Sequence, residues 1–355
     1  MTVKRSRKIL IISASVLLTL VLVIHPLASV IIYESIFSTR YEPAPWLEMC
    51  ADDFDSLSAQ RVEIGGEGER LVGFKYDNPT VTEPHGLVVL AHGLGGGGHT
   101  PYLPLIDALT DEGYRVFTYD ATGNGESEGH DVNGLPQGTL DLNRAIATAL
   151  SDPDYDGLPL YLIGHSWGAY SVGTALCSYP EVNGAVMLAG FDSSADMIRA
   201  GASDYVGSFI ASVASPTAAL YEHIKFGDVA YLTVTDGIAA TDARIMVIHS
   251  ADDATVPIEI GYEKYYESYE GDTRVTFLQY DDRGHNYLYY SPESAKYRDE
   301  INAAYVRYVE DGGLEYSTET KIDFFGENLD ISKCYEIDSE LMDRIVAMFK
   351  GASGS

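Results

Sequence analysis

Short, mostly apolar runs recur through the middle of the chain at Gly86–Ala91, Tyr114–Tyr119, Leu158–Ile163, Gly184–Ala189, Arg244–His249 and Val275–Tyr280. Their length and lack of strict polar alternation suit strands buried on both faces. Helical spacing fits residues 102–112, 138–150 and 167–179 between them. Strands alternating with helices predict an α/β fold with a mostly parallel sheet flanked by helices. Residues 191–242 break the rhythm. They are mostly helical in pattern and lie between two strong strands, which predicts an insertion over the sheet edge. In "YEKYYESY", Tyr262, Tyr265, Tyr266 and Tyr269 follow the i, i+3, i+4, i+7 spacing of one core-facing stripe.

The N-terminus has a different pattern. Lys4, Arg5, Arg7 and Lys8 precede an apolar run from Ile9 to Ile32. As a helix that run would span about 36 Å, against a hydrocarbon core of about 30 Å. A basic flank stays cytoplasmic. Residues 1–40 are therefore expected to be a single-pass membrane anchor with everything after Tyr33 outside the cytoplasm. A cleaved signal peptide followed by secretion is the competing reading, without a clean A-x-A-like site to support it.

Composition narrows the partners. The 355 residues carry 53 Asp and Glu against 23 Lys and Arg, a net charge of −30. A surface this acidic repels nucleic acid and anionic headgroups. The three cysteines allow one disulfide at most, and Cys50 with Cys334 is the candidate pair; Cys177 reads as a small hydrophobe on a buried helix. No Cys/His spacing suggests a metal site, and no organic cofactor is implied.

The chemistry is concentrated in "LIGHSWGAY". Gly164-His165-Ser166-Trp167-Gly168 is a G-x-S-x-G placed directly after a strand and before a helix. Such a sharp turn crowds the backbone and needs small residues on either side of the serine, and the following helix aims its first N–H groups at developing negative charge. Ser166 is thus the candidate nucleophile, and it needs a base. His285, in a loop after Val275–Tyr280 with Gly284 before it, is the candidate. His165 is expected to pack against its neighbours, and His92 and His249 end strands and suit structural hydrogen bonds. A third group, an acid, should follow the strand Arg244–His249, where Asp252 and Asp253 both stand. The stretch "AHGLGGGGHT" is ambiguous. Its Gly93, Gly95 and Gly98 fit a dinucleotide-binding G-x-G-x-x-G, with Asp120 as ribose acid, or else the loop forms part of an oxyanion hole. Pro101 and Pro104 argue against the dinucleotide, since a helix should then begin inside the glycine run.

Over roughly residues 60–310 these motifs resemble the α/β-hydrolase superfamily. His92-Gly93-Leu94-Gly95 is similar to its H-G-x-G loop, and Asp120 to Gly129 to its D-x-x-G-x-G-x-S-x-G loop. The resemblance implies that the backbone N–H groups of Leu94 and Trp167 form the oxyanion hole. It also implies a G-x-x-D-x-x-V-P pattern for the acid. Ser250 stands where that pattern has glycine, and Val256-Pro257 selects Asp253; some relatives carry the acid at the position of Asp192.

The resemblance is to membrane-anchored bacterial serine hydrolases of lysophospholipase or monoacylglycerol-lipase type. It implies a serine hydrolase that cleaves carboxylic esters, lipid or other acyl esters as small-molecule substrates, through an acyl-enzyme. A proline-iminopeptidase-type peptidase or an acyltransferase would use the same residues, and a non-catalytic binding module is the reading from another class. The expected divisions are an anchor (1–40), a hydrolase core in two parts (41–190 and 243–355) and a helical cap (191–242). Phe209 and Leu220, at near-helical spacing with Ile210, Val213 and Tyr221, are expected to line the acyl pocket. Past residue 311 a helical extension follows. There Asp338 is expected to cap a last helix whose Leu341, Ile345, Met348 and Phe349 face the core.

Overall fold

A computed structural model of the protein describes residues 8, 12, 13, 15, 19–47, 49–66 and 68–352. Among them, eight strands form one sheet in the order β1-β2-β4-β3-β5-β6-β7-β8. These are β1 (Ser58–Ile64), β2 (Leu71–Asp77), β3 (Gly86–Ala91), β4 (Tyr114–Asp120), β5 (Leu160–His165), β6 (Gly184–Leu188), β7 (Arg244–Ser250) and β8 (Val275–Tyr280). The pairs from β4 through β8 are all parallel, and β1 and β2 add an antiparallel margin beside β4. β5 lies two residues later than the apolar pattern predicts, because it runs on through Gly164 and His165 to the serine turn. The strands β1 and β2 precede every run singled out by the pattern. β1 is mostly exposed, so no apolar stripe marks it.

Helices cover both faces. After α1 (His25–Phe37) come α2 (Leu103–Asp111), α3 (Leu135–Leu150) and α4 (Trp167–Ala175). Residues 191–242 supply α5 (Ser194–Val206), α6 (Ser208–Phe226) and α7 (Val234–Ala240), and α8 (Tyr262–Tyr269) precedes β8. The chain closes with α9 (Pro292–Gly312), α10 (Thr318–Asn328), α11 (Ile331–Cys334) and α12 (Ser339–Ala352). One side of the sheet packs Leu87, Val89, Phe117 and Leu162 with Leu142, Trp167 and Val172. The other packs Val88, Leu90, Val116 and Ile163 with Ile106, Leu109, Ile345 and Phe349. Asp338 accepts the Leu341 N–H at 3.1 Å, and Leu341, Ile345, Met348 and Phe349 of α12 are buried. In α8, Tyr262 and Tyr265 are buried while Tyr266 turns outward against Phe277.

The N-terminal expectation needs correction. Among the described residues no helix is long and apolar enough to cross a membrane. The basic flank apart from Lys8, and most of the run before Thr19, lie outside the described residues. Within them, helix α1 does not stop at Ile32 but continues to Phe37 and lies on the protein. Its Ser29, Tyr33 and Phe37 are buried, spaced four apart on one face. Tyr33 donates to Glu222 Oε1 on α6 at 2.8 Å. Glu34 accepts from Tyr221 at 2.6 Å and pairs with Lys225 at 2.8 Å. The single-pass placement with an extracytoplasmic domain is therefore overturned. Nor do Cys50 and Cys334 pair: both are free, Cys50 at the surface and Cys334 buried.

Glu222 is almost fully buried and also accepts from Ser194 Oγ at 2.7 Å. Burial raises its pKa to about 7, against the opposing pull of the Ser194 and Tyr33 hydroxyls and of Lys225. A carboxyl whose folded pKa is raised binds its proton more tightly in the folded state. Its stabilising contribution is then full below the unfolded value, about 4.3, and is lost as pH rises through about 7. Urea unfolding at pH 5 and pH 8 should show wild type losing stability at the higher pH relative to Glu222→Gln, by about 1–3 kcal/mol. Parallel pH dependence in the two proteins would remove Glu222 as the cause.

Candidate active site

The sheet reverses its winding between β3 and β5: from β3 the chain passes to β4 on one side, whereas β5 leads to β6 on the other. Loops at the carboxyl ends of these strands diverge there and leave a crevice. Ser166 stands at that point, with a backbone φ of 56° that side-chain-bearing residues rarely adopt. Its N–H donates to the Leu188 carbonyl at 2.7 Å. Two glycines make the turn possible. A Cβ on Gly164 would lie 2.3 Å from the Gly168 carbonyl oxygen, and one on Gly168 would lie 2.0 Å from that of Ala91. The glycine positions of the motif thus follow from close backbone contact between β5, α4 and β3.

His285 reaches the serine from the loop after β8. Its Nε2 is 2.9 Å from Ser166 Oγ, and its Nδ1 is 2.7 Å from Asp253 Oδ2. An Nδ1–H donated to the carboxylate leaves Nε2 free to accept the serine proton. Burial alone would raise the Asp253 pKa. Hydrogen bonds from His249, His285 and the Val256 N–H, with the His285 charge, outweigh it and hold Asp253 well below the usual carboxylate range. The neighbouring acids are engaged elsewhere. Asp252 accepts from Ser250 Oγ at 2.6 Å and the Gly284 N–H at 2.8 Å, so the Ser250 that departs from the glycine pattern helps shape the His285 loop. Asp192 accepts the N–H and hydroxyl of Thr235.

Tyr102 was not singled out by the sequence, yet it joins three segments of the site. It accepts the Gly93 N–H at 2.9 Å and donates to His165 Nδ1 at 2.8 Å. His165 Nε2–H in turn donates to the His285 carbonyl at 2.9 Å. Burial, reinforced by His285, lowers the His165 pKa to about 3, so the ring stays neutral and can hold this pattern. His92 donates from Nδ1 to the Gly93 carbonyl and accepts the Ala121 N–H on Nε2. The glycine run itself wraps an acid of the chain: a Cβ on Gly98 would lie 2.2 Å from Asp120 Oδ1. Asp120 also accepts from His99 at 2.7 Å, which leaves it no ribose to bind.

A cavity of about 480 Å³ opens above Ser166 and His285. Leu94, Tyr102, Leu135, Trp167, Phe191 and Met197 line one part of it, and Trp46, Tyr287, Tyr290, Arg298, Ile301 and Phe325 another. Trp167 opens α4, so its N–H has no intrahelical acceptor. Phe209 and Leu220 do not reach the cavity. They are 82% and 54% exposed, because α6 turns its small and polar residues Ala211, Ala218 and Glu222 inward.

Comparison with known proteins bears on the fold. A family model described as serine aminopeptidase S33 matches residues 82–226. The chain is 32% identical over 117 residues to a monoglyceride lipase homolog of Monkeypox virus, covering 32% of this chain and 41% of that protein. It is 25% identical over 244 residues to the lysophosphatidylserine lipase ABHD12 of Danio rerio, covering 62% and 57%. An esterase structure from Pyrococcus furiosus superposes with a TM-score of 0.55 at 18% identity, covering 78% of this chain and 98% of that one. The chain is an α/β-hydrolase by fold. It spans about half the length of the curated relatives it matches. Those relatives come from a virus, a fish and bacteria, so the expected bacterial origin finds no support in them.

The crowded turn is directly testable. Gly168→Ala should lower stability by about 1–3 kcal/mol, because its Cβ has no room beside the Ala91 carbonyl. Gly326→Ala, at an exposed position of α10 with open space around its Cβ, should instead leave stability unchanged or raise it by up to about 1 kcal/mol. Chemical unfolding of both variants measures this; equal shifts would show that the turn tolerates a methyl group.

Proposed function

We propose that the protein is a serine hydrolase that cleaves small carboxylic esters through an acyl-enzyme. The observation that carries this is the series Asp253–His285–Ser166, hydrogen-bonded at 2.7 and 2.9 Å at the floor of the cavity. Ser166 Oγ attacks the acyl carbonyl while His285 Nε2 takes its proton, and Asp253 orients the ring and stabilises the imidazolium. The N–H groups of Leu94 and Trp167 receive the oxyanion. His285 then protonates the departing alcohol. A water, deprotonated by the same nitrogen, attacks the acyl group and releases the acid, which returns Ser166 to its hydroxyl form.

Residues 191–242 act as the cap over this site, and Phe191 and Met197 are side chains they contribute to the cavity wall. The relatives named as lipases support an ester substrate. The name of the matching family favours a second reading, an aminopeptidase. That activity must hold a free α-ammonium group, which calls for a carboxylate in the pocket. Among the described residues the cavity lining includes no Asp or Glu, and this favours the ester.

A fluorophosphonate probe should label wild type and not Ser166→Ala, and p-nitrophenyl ester hydrolysis should fall at least about 10³-fold in that variant with its fold intact by circular dichroism. More than a few percent of residual activity would displace Ser166 as nucleophile. Asp253→Asn should lose about 10²–10⁴-fold in kcat and Asp252→Asn far less. Matching losses would show that Asp253 does not act alone in orienting His285. A panel of aminoacyl-arylamides assayed beside the esters separates the two readings.

A further inference from the structure

Arg298 has no role in the chemistry above, yet it lines the same cavity as Ser166. It projects from α9 on the face shared with Ile301 and Asn302, three and four residues on, which also line the cavity. Rings surround it: the guanidinium carbon is 4.5 Å from the centroid of Tyr290, 4.9 Å from Tyr335 and 5.2 Å from Tyr287. Among the described residues no carboxylate lies within ion-pair distance. Its polar neighbours are the Tyr290 and Tyr335 side chains and the Cys334 thiol. Arg283, another cation packed into this part of the fold, has the usual solution and pairs with Asp338 at 3.2 Å.

Removing a guanidinium from water is costly unless a charge or good hydrogen bonds replace the water. Aromatic rings return part of that energy. A guanidinium presents five in-plane N–H donors, the ones that fit a carboxylate or phosphate, and its polar neighbours here are three side chains. In a chain of net charge −30 the protein's own field does not attract anions, so an anionic substrate needs a local cation at its site. Nearby polar groups could add donors, since the Asn302 amide lies 3.5 Å from the Tyr287 hydroxyl, both on the cavity wall.

We infer that Arg298 is a specificity-determining residue that binds an anionic group, carboxylate or phosphate, carried by the ester at a distance from the scissile carbonyl. The inference rests on the ester-hydrolase reading for its substrate but not for the anion site itself. Two matched pairs test it. One compares mono-p-nitrophenyl glutarate with p-nitrophenyl pentanoate, which places a carboxylate on the acyl side. The other compares a 1-acylglycerol 3-phosphate with the 1-acylglycerol of the same chain, which places a phosphate on the alcohol side. In at least one pair the anionic member should have the higher kcat/KM in wild type. Arg298→Gln should lower that anionic-to-neutral ratio about tenfold or more, and Arg298→Lys, which keeps the charge, by less. An unchanged ratio in Arg298→Gln, or neutral members preferred in both pairs, overturns the inference. Binding separates this from failure of the hydrolase reading. Inorganic phosphate should raise the thermal midpoint of Ser166→Ala protein and not of Ser166→Ala/Arg298→Gln. Absence of that shift, in a protein whose wild type takes the fluorophosphonate probe, overturns the anion site and leaves the hydrolase reading standing.

Discussion

Three stretches of backbone pass one another at Ser166 more closely than a methyl group would allow. The end of β5, the start of α4 and the end of β3 meet through Gly164 and Gly168. That closeness forces the serine into a left-handed backbone conformation, with its side chain at the head of the turn and the first N–H of α4 beside it. The switch in strand order opens the crevice that the turn faces. The cavity, the reach of His285 and the place of the glycine-rich loop all depend on this one contact.

Around that contact the site is held by neutral, fully engaged polar groups. Tyr102 and His165 tie Gly93 and His285 to the serine turn, and His92 ties the same loop to the start of the segment after β4. Burial keeps His165 from protonating, so the bonding pattern is not scrambled by pH in the range where proteins work. Asp253 is kept ionised for the opposite reason, because its partners outweigh burial. Two buried titratable groups in one site are thus fixed in different charge states by what touches them.

Much of this was legible in the sequence because it is local. The parallel strands are continuous apolar runs, and the G-x-S-x-G motif encodes a steric requirement of one turn. The choice between Asp252 and Asp253 shows where locality ends. By residue type the sequence offers two adjacent carboxyls; the resemblance selects Asp253 through Val256-Pro257, and the path of the Ser250 and Gly284 loop shows why that one faces His285. Phe209 and Leu220 misled for a similar reason, since helical spacing identifies a face but not its direction. On α6 the inward face is the one with small residues and Glu222, an unexpected residue to bury. The N-terminal run misled because apolarity and length alone do not distinguish a span from a helix that lies against its own protein. Arg298 and Tyr102 carry no motif, and their surroundings come from segments far apart in the chain.

The bond between Tyr33 and Glu222 joins residues 189 positions apart. A ribosome making this chain delivers α1 early, with Leu27, Ile31, Ile32 and Ile36 on its outward face. Its docking surface on α6 emerges only after six of the eight strands have been made. During synthesis the helix is therefore an apolar segment without its partner, the kind of surface that chaperones hold. The contact it makes with α6 is of the non-local kind that raises contact order and slows folding.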